Sequence, residues 1–154
     1  MDLVDELLRG EACYARVGMS DLTKVFNVLA FAAEKHRNQR RKDTAATPYL
    51  NHVIGVATVL AVEGGITDET LLLAAVLHDT VEDTSTTFDE LEHHFGRAVR
   101  DLVAEVTDDK ALPKDVRKEL QVAHAAVASR GAKQLKIADK ICNIRNIAGA
   151  PPTG

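Results

Sequence analysis

The feature that most constrains this chain is an apolar run that stops abruptly at an acidic cluster. The segment Leu71–Leu77 contains only Leu, Ala and Val, and the sequence HDTVEDT follows it directly as His78–Thr84. An apolar run of this kind predicts a helix buried in a core. If the helix continues through Asp83, then His78 and Glu82 lie four residues apart on one helix face. Carboxylates beside a core lose hydration and repel one another, so they need either a compensating cation or a solvated helix end.

Helical periodicity continues along most of the chain, and no segment sustains the alternation expected of a strand. Several predicted helices begin at residues that suit that place, such as Thr87 with its capping-box spacing and Pro113 in a first turn. We therefore predict an all-α fold, with one compact multi-helix domain over residues 20–147. An N-terminal arm or short helix is expected over residues 1–19, and a non-helical tail over residues 148–154.

Two helices carry specific predictions about their buried faces. For the helix that begins at Ser20 or Asp21, helical spacing predicts an apolar face made of Leu22, Val25, Phe26, Leu29, Ala30 and Ala33. For the last helix, which is expected to begin at Ala132, the predicted buried positions are Leu135, Ala138, Ile141, Cys142 and Ile144.

Composition and charge narrow the functional classes. The 154 residues carry 19 basic and 23 acidic side chains, for a formal net charge of −4. A general nucleic-acid binder usually shows a basic excess, so this class is disfavoured. No apolar stretch approaches the ~20 residues of a membrane span. Two cysteines, Cys13 and Cys142, are too few for a disulfide framework. We expect a cytoplasmic protein without nucleic-acid or membrane partners; the sequence leaves its oligomeric state open.

Four polar residues stand at inward-facing positions of three predicted helices, where each would be a poor core residue alone. They are His52, His78, Asp79 and Asp139. Two imidazoles and two carboxylates suit a borderline or hard divalent ion such as Mn²⁺, Fe²⁺ or Zn²⁺. The lack of cysteine ligands makes a structural zinc site less favoured. Four protein ligands leave positions for water and substrate, and Glu82 and Asp83 then remain for proton chemistry.

Simpler interpretations compete with a metal site. His52 could be a core or capping histidine, since it lies in the first turn of its helix. Asp139 could form a structural salt bridge with Lys136 or Lys140. The basic run His36–Lys42, which precedes a small-residue loop, could be a solvated helix end. The alternative for that run is an anion clamp, because Arg and Lys direct several donors at phosphate oxygens.

The order H…HD…D, formed by His52, His78-Asp79 and Asp139, resembles the pattern of the HD phosphohydrolase superfamily. Three segments are similar to the hydrolase domain of RelA/SpoT proteins, and the nearest likeness is to the stand-alone small alarmone hydrolases, including their metazoan branch. The segments are Arg41-Lys42 with Thr47–His52, His78–Thr84, and Ala138–Arg145. The likeness runs from about Leu22 to Arg145. It departs from the family at Val53, where Pro is usual, and at Ala46, where Gly is common.

This resemblance implies a Mn²⁺-dependent enzyme that removes the 3′-pyrophosphate from ppGpp or pppGpp. It implies that His52, His78, Asp79 and Asp139 hold the metal, while Glu82 and Asp83 orient the attacking water and move its proton. Substrate contacts carried over from the family are Arg41 and Lys42 in the nucleotide pocket and Asn143 at the sugar. The metazoan branch also implies a second substrate, NADPH, through removal of its 2′-phosphate. Relatives continue past the last motif with further helices, so an inactive nucleotide-binding module is a third alternative.

Overall fold

The computed structural model describes residues 21–149, and within them every regular element is a helix. The N-terminal arm predicted over residues 1–19 lies outside this range. The predicted all-α class is confirmed, because the described part contains only one isolated bridge, between Arg40 and Pro48. In chain order the helices are α1 (Asp21–Lys35), α2 (Leu50–Thr58), α3 (Glu69–Leu77), α4 (Thr80–Asp83), α5 (Phe88–Phe95), α6 (Arg97–Val106), α7 (Lys114–Val127) and α8 (Arg130–Gly149), with a π-helical turn, Val59–Glu63, directly after α2.

The apolar run forms α3, the central helix of the core. Six of its nine residues are buried, and α1, α2, α6 and α8 pack around it. The side chain of Asp68 caps its start by accepting a hydrogen bond from the Leu71 amide at 3.2 Å. Burial on all sides explains why this segment has no polar face. The end of α3 therefore lies deep inside the molecule, and the residues that follow it enter the site from within the core.

The helix does not continue unbroken through Asp83, because α3 ends at Leu77 and α4 begins only at Thr80. At the break, the Thr80 hydroxyl donates a 2.7 Å hydrogen bond to the Leu77 carbonyl, and Asp79 adopts φ −103° and ψ 0°. The hydroxyl satisfies a carbonyl that a continuing helix would have bonded with a backbone amide. His78 and Asp79 thus lie between two helices.

The buried face of α1 also differs from the prediction. The core side is formed by Val28, Phe31 and Ala32, whereas Leu22 and Phe26 are about two-thirds exposed, at 70% and 67%. Phe31 meets Phe95 of α5 edge-on, with 5.1 Å between ring centroids. This helix carries apolar residues on two faces, and packing against α3 selects the one that the sequence pattern did not favour.

Helix α8 begins at Arg130 and includes Ala148 and Gly149, two residues assigned by sequence to a non-helical tail. Residues 150–154 lie outside the described range. The buried positions are Ala132, Leu135, Ala138 and Cys142, whereas Ile144 is exposed. Asp139 and Asn143 lie on the adjoining face, one turn apart, and this face is directed at the end of α3. None of the described helices is both long enough and apolar enough to cross a membrane.

The loop between α1 and α2 is folded tightly against the site. The Arg41 amide donates to the Thr47 carbonyl at 2.8 Å, and the Asp43 side chain accepts from the Thr47 amide at 2.9 Å. Ala46, at the tip, has a positive φ of 48°, which is the conformation that glycine tolerates best. These contacts hold the basic residues of the loop close to the start of α2.

Candidate metal centre

The four predicted metal ligands meet at one point, although they come from α2, the α3–α4 break and α8. Nε2 of His52 lies 3.1 Å from Oδ1 of Asp139, and Nε2 of His78 lies 3.0 Å from Oδ2 of Asp79. The two crossed pairs, His52–Asp79 and His78–Asp139, are each separated by 3.8 Å. Ligand atoms of His52, His78 and Asp139 all lie within 4.8 Å of one another. Two nitrogens and two carboxylate oxygens therefore surround one small volume.

Hydrogen bonding fixes the orientation of the His78 ring. Its Nδ1 lies 2.8 Å from the Ala75 carbonyl, which can only accept, so Nδ1 carries a proton. Nε2 is buried and has no hydrogen-bond partner of good geometry among the described residues, although carboxylate oxygens lie nearby. If a cation replaces the proton on Nε2, the ring would direct the lone pair of Nε2 into the carboxylate-lined centre. An unpartnered nitrogen facing two carboxylates fits a divalent cation better than it fits a closed hydrogen-bond network.

The electrostatics of the centre agree with a cation site. Burial lowers the pKa of His78, but the charge of Asp79 and contacts with Asp139 outweigh it and raise the pKa to about 10. Burial raises the pKa of Asp79, yet His78 and the Tyr49 hydrogen bond bring it down to about 2. The pKa of Asp139 is likewise lowered, since contacts with both histidines exceed its desolvation. The two carboxylates therefore stay ionised and attract positive charge to the centre.

Neutral donors outside the cluster hold both carboxylates in place. The Tyr49 hydroxyl donates to Oδ2 of Asp79 at 2.5 Å, and the Asn143 amide donates to Oδ1 of Asp139 at 2.7 Å. Such partners orient ligands around a metal. Sequence reasoning quoted Tyr49 only as part of a motif and gave it no role. Its position three residues before His52, at the N-cap of the same helix, was the available indication.

The structure bears on the simpler interpretations of Asp139 and His52 in different ways. Among the described residues, the ion-pair partners of Asp139 are His52 and His78, so the predicted alternative of a salt bridge to Lys136 or Lys140 is wrong. His52 is buried, as a core histidine would be, and it is not the cap of α2. Its Nε2 faces Asp139, and its Nδ1 has no hydrogen-bond partner among the described residues.

The two acidic residues of α4 lie one turn beyond Asp79 and have distinct environments. Glu82 is partly buried and accepts a hydrogen bond from the Asp108 amide at 3.3 Å; burial is the main cause that raises its pKa. Asp83 has both oxygens engaged. Gln39 donates to Oδ2 at 2.8 Å, and Lys110 contacts Oδ1. Glu82 is thus the better proton acceptor, and Asp83 is the more firmly oriented group.

A cavity of about 450 Å³ extends from the basic loop to Asp83. Arg41 donates to the Asn143 amide oxygen at 2.8 Å, and its guanidinium lies 5.7 Å from the centre of the Tyr49 ring. The residues that line the cavity are Gln39, Arg40, Arg41, Lys42, Asp43, Tyr49, Asp83, Lys110, Asn146 and Ile147. The basic run is therefore more than a solvated helix end, since it forms one wall of this cavity. Arg41 and Asn143 link that wall to Asp139.

Comparison with known proteins gives a consistent picture. A family model described as HD domain matches residues 28–154. The chain is 56% identical over 135 residues to guanosine-3′,5′-bis(diphosphate) 3′-pyrophosphohydrolase MESH1 of Xenopus tropicalis, and 57% identical to the Homo sapiens protein of that name. Each alignment covers 88% of this chain and 75% of the relative.

Solved structures show the same relationship. A structure of a metazoan orthologue of SpoT, described as hydrolysing ppGpp and acting in starvation responses, superimposes with a TM-score of 0.83 at 51% identity. That match covers 91% of this chain and 77% of the other. The Listeria monocytogenes protein lmo0812 matches with a TM-score of 0.60 at 33% identity, over 66% of this chain and 64% of that one.

Proposed function

The chain belongs to the HD-domain family, and we propose that it is a metal-dependent guanosine-3′,5′-bis(diphosphate) 3′-pyrophosphohydrolase, which removes the 3′-pyrophosphate from ppGpp or pppGpp. The observation that carries this proposal is the convergence of His52, His78, Asp79 and Asp139 beside a basic cavity. Phosphoryl chemistry needs a cation near the reacting phosphorus and further positive groups around the phosphate oxygens. Both requirements are met by residues of this chain.

The metal-binding role is assigned to the two imidazoles and the two carboxylates. A divalent cation, when bound there, supplies Lewis-acid polarisation of a phosphate oxygen and lowers the pKa of water. We propose Mn²⁺ as the ion, with Fe²⁺ or Zn²⁺ as alternatives that the same mixed N/O set accepts. Tyr49 and Asn143 keep the Asp79 and Asp139 carboxylates turned toward the centre.

Proton chemistry is assigned to α4. Glu82, with its raised pKa, takes the proton that the attacking water loses. Asp83, held at both oxygens, orients that water toward the phosphorus. These two roles suit the environments of Glu82 and Asp83. A general base needs a pKa near the working pH, whereas an orienting group needs a fixed position.

Substrate contacts are assigned to the wall of the cavity. Arg41 and Lys42 neutralise phosphate oxygens. Asn143 already donates to Asp139 and accepts from Arg41. A contact with the sugar would use the second lone pair of its amide oxygen or the second N–H of its nitrogen, so Asn143 can position Asp139 and meet the sugar at the same time. The proposed partners are thus small guanine nucleotides.

A second candidate substrate is NADPH, through loss of its 2′-phosphate. The basic side chains that line the cavity recognise phosphate groups, and they do so without regard to the base that carries them. This phosphate-recognising wall is the observation that keeps NADPH as a candidate.

We also propose a cytoplasmic location, where Cys142 stays a free, buried thiol.

The decisive experiment measures pyrophosphate release from ppGpp by the purified chain with Mn²⁺. We expect turnover that EDTA abolishes and that Asp79→Ala reduces to background. Asp101→Ala, which removes an exposed carboxylate on α6, is the matched control and should retain full activity. Phosphate release from NADPH is measured in parallel with the same preparation. Absence of turnover on both substrates by folded, metal-loaded protein would contradict the proposal and favour a nucleotide-binding module, which ligand-induced stabilisation would reveal.

A further inference from the structure

Gln39 lies between a buried histidine and the Asp83 carboxylate. Its Oε1 is 2.6 Å from Nδ1 of His36, and its Nε2 donates to Oδ2 of Asp83 at 2.8 Å. His36 is only 1% exposed, whereas Gln39 is partly exposed at the cavity wall. One side chain therefore connects the interior of the protein to a carboxylate at the site.

Only one arrangement of protons makes both contacts hydrogen bonds. The Asp83 carboxylate can only accept, so the NH₂ group of Gln39 has to face it. The amide oxygen then faces His36, which has to carry its proton on Nδ1. The opposite orientation of the amide would place an oxygen against a carboxylate, and it would be repulsive. The Asp83 carboxylate thus fixes the orientation of the Gln39 amide, and through it the tautomer of His36.

The backbone at Gln39 is held on both sides. Its amide donates to the His36 carbonyl at 2.9 Å, and its carbonyl accepts from the Tyr49 amide at 3.1 Å. The His36 amide in turn donates to the Ala32 carbonyl at 2.9 Å, and its ring packs against that of Tyr49 with 5.1 Å between centroids. Gln39 therefore reaches Asp83 from a fixed origin and in a fixed direction.

The other partner of Asp83 differs in this respect. Lys110 contacts Oδ1, but half of its side chain is exposed (50%), and it lines the same cavity. An entering phosphate can draw an exposed lysine away from a carboxylate, because the new pair is also charge-assisted. The Gln39 amide is attracted less strongly by a phosphate, because it is neutral, and its oxygen is tied to a buried ring. The contact with Gln39 is the one that persists when substrate fills the cavity.

We infer that Gln39 is a positioning residue for Asp83 and that the buried His36 ring holds the Gln39 amide in place. The inference rests on the proposed function, in which Asp83 orients the attacking water. Gln39 itself touches neither the water nor the phosphorus. A carboxylate with one oxygen held in place presents the other in a constant direction, and small misplacements of an orienting group cost large factors in rate.

The first test replaces Gln39 with Met, which keeps the length and removes the donor. We expect kcat for ppGpp hydrolysis to fall about 10- to 100-fold while KM and metal content stay unchanged. Asn38→Ala, an exposed neighbour in the same turn, is the control and should behave like the unmodified chain. If Gln39→Met destabilises the fold, Gln39→Glu replaces it, since a carboxylate can still accept from His36 but cannot donate to Asp83.

A double-mutant cycle separates positioning from a general structural effect. If Gln39 acts through Asp83, then Gln39→Met added to Asp83→Asn lowers kcat by less than threefold, although alone it lowers kcat at least 10-fold. Equal factors in both backgrounds would overturn the inference, as would unchanged kcat in Gln39→Met.

A third measurement does not depend on activity. In NMR spectra of the whole protein, the Gln39 side-chain amide should exchange slowly with water, and its signal should shift and exchange faster in Asp83→Ala. The inference would be overturned if the Gln39 amide exchanged rapidly with water and its signal did not change in Asp83→Ala. If the unmodified chain hydrolyses neither nucleotide, the proposed function fails, while this spectrum still decides whether Gln39 holds Asp83.

Discussion

The Tyr49 hydroxyl donates its hydrogen bond to Oδ2 of Asp79, the same oxygen that lies 3.0 Å from Nε2 of His78. The bond therefore fixes the position of a candidate ligand oxygen relative to the imidazole that shares the centre with it. The bond also leaves the net charge of the centre unchanged, because the phenol stays neutral. Burial and the Asp79 charge both raise the pKa of Tyr49 above its ordinary value.

Removal of this hydroxyl should weaken the metal site more than the fold. We expect Tyr49→Phe to lower metal affinity by about 10- to 100-fold, the usual effect of losing a group that orients a ligand. Calorimetric titration of the metal-free protein with Mn²⁺ measures this change. Thr58→Ala, which removes an exposed hydroxyl from the same helix, should leave the affinity unchanged. Equal affinities for Tyr49→Phe and the unmodified chain would show that the hydroxyl has no orienting role.

The sequence predicted the metal cluster because buried polar residues are costly. His52, His78, Asp79 and Asp139 each stood at an inward position of an apolar segment, so one cation could compensate all of them, although separate explanations for single residues stayed open. That argument needs no knowledge of how the helices are arranged. The structure brings these side chains together, and among the described residues Asp139 pairs with the two histidines rather than with a lysine.

Other features depended on tertiary structure and could not be predicted in this way. Gln39 is an ordinary polar residue in a basic run, and only the approach of α4 gives it a charged partner. The break after Leu77 depends on the hydroxyl of Thr80, a residue that helices also tolerate. The wrong face was assigned to α1 because apolar residues occupy two of its faces, and only the contact with α3 decides between them.

Ala46 offers a direct test of backbone strain. Its φ of 48° lies in the left-handed region, which costs a residue with a Cβ about 1–2 kcal/mol. We expect Ala46→Gly to stabilise the protein by about 0.5–1 kcal/mol, since part of the relief is lost to the greater freedom of glycine in the unfolded chain. Urea denaturation measures the difference in the free energy of unfolding.

The opposite substitution at a second site is the matched control. Gly65 has a φ of 62°, and a Cβ placed there would meet no atom within 4 Å. Gly65→Ala therefore introduces backbone strain alone, and it should destabilise by about 1 kcal/mol. Destabilisation by Ala46→Gly, or no cost for Gly65→Ala, would show that the left-handed backbone at these loops is not under strain.

Glu82 should matter for turnover rather than for assembly of the centre. It is not among the proposed ligands, and its raised pKa suits a group that accepts a proton. We expect Glu82→Gln to lower kcat by about 100-fold or more and to leave bound metal at the same stoichiometry. Steady-state kinetics test the expected fall in kcat, and elemental analysis tests the expected metal stoichiometry. Glu119→Gln, an exposed residue of α7, is the control. Loss of metal from Glu82→Gln would instead make Glu82 a part of the metal site.

Acid should destabilise the fold through His36. Burial is the largest influence on its pKa and lowers it, against the opposing effects of the Gln39 hydrogen bond and the charges of Asp79 and Asp83. Below pH about 6.5, the ordinary value for histidine, the unfolded chain therefore binds a proton that the folded chain resists. The free energy of unfolding falls as the pH drops through this value, because the unfolded state binds more protons and is stabilised relative to the folded state.

The variant His36→Phe isolates this contribution. It keeps a ring in the buried site but has no group that titrates, so its stability should depend less on pH. At neutral pH the unmodified chain is expected to be the more stable of the two, since it retains the Gln39 hydrogen bond. Urea denaturation of both metal-free proteins between about pH 8 and pH 5 should show that advantage shrinking as the pH falls. An advantage that stays constant or grows would mean that His36 is protonated in the folded protein, and the Nε2 atom would then need an acceptor.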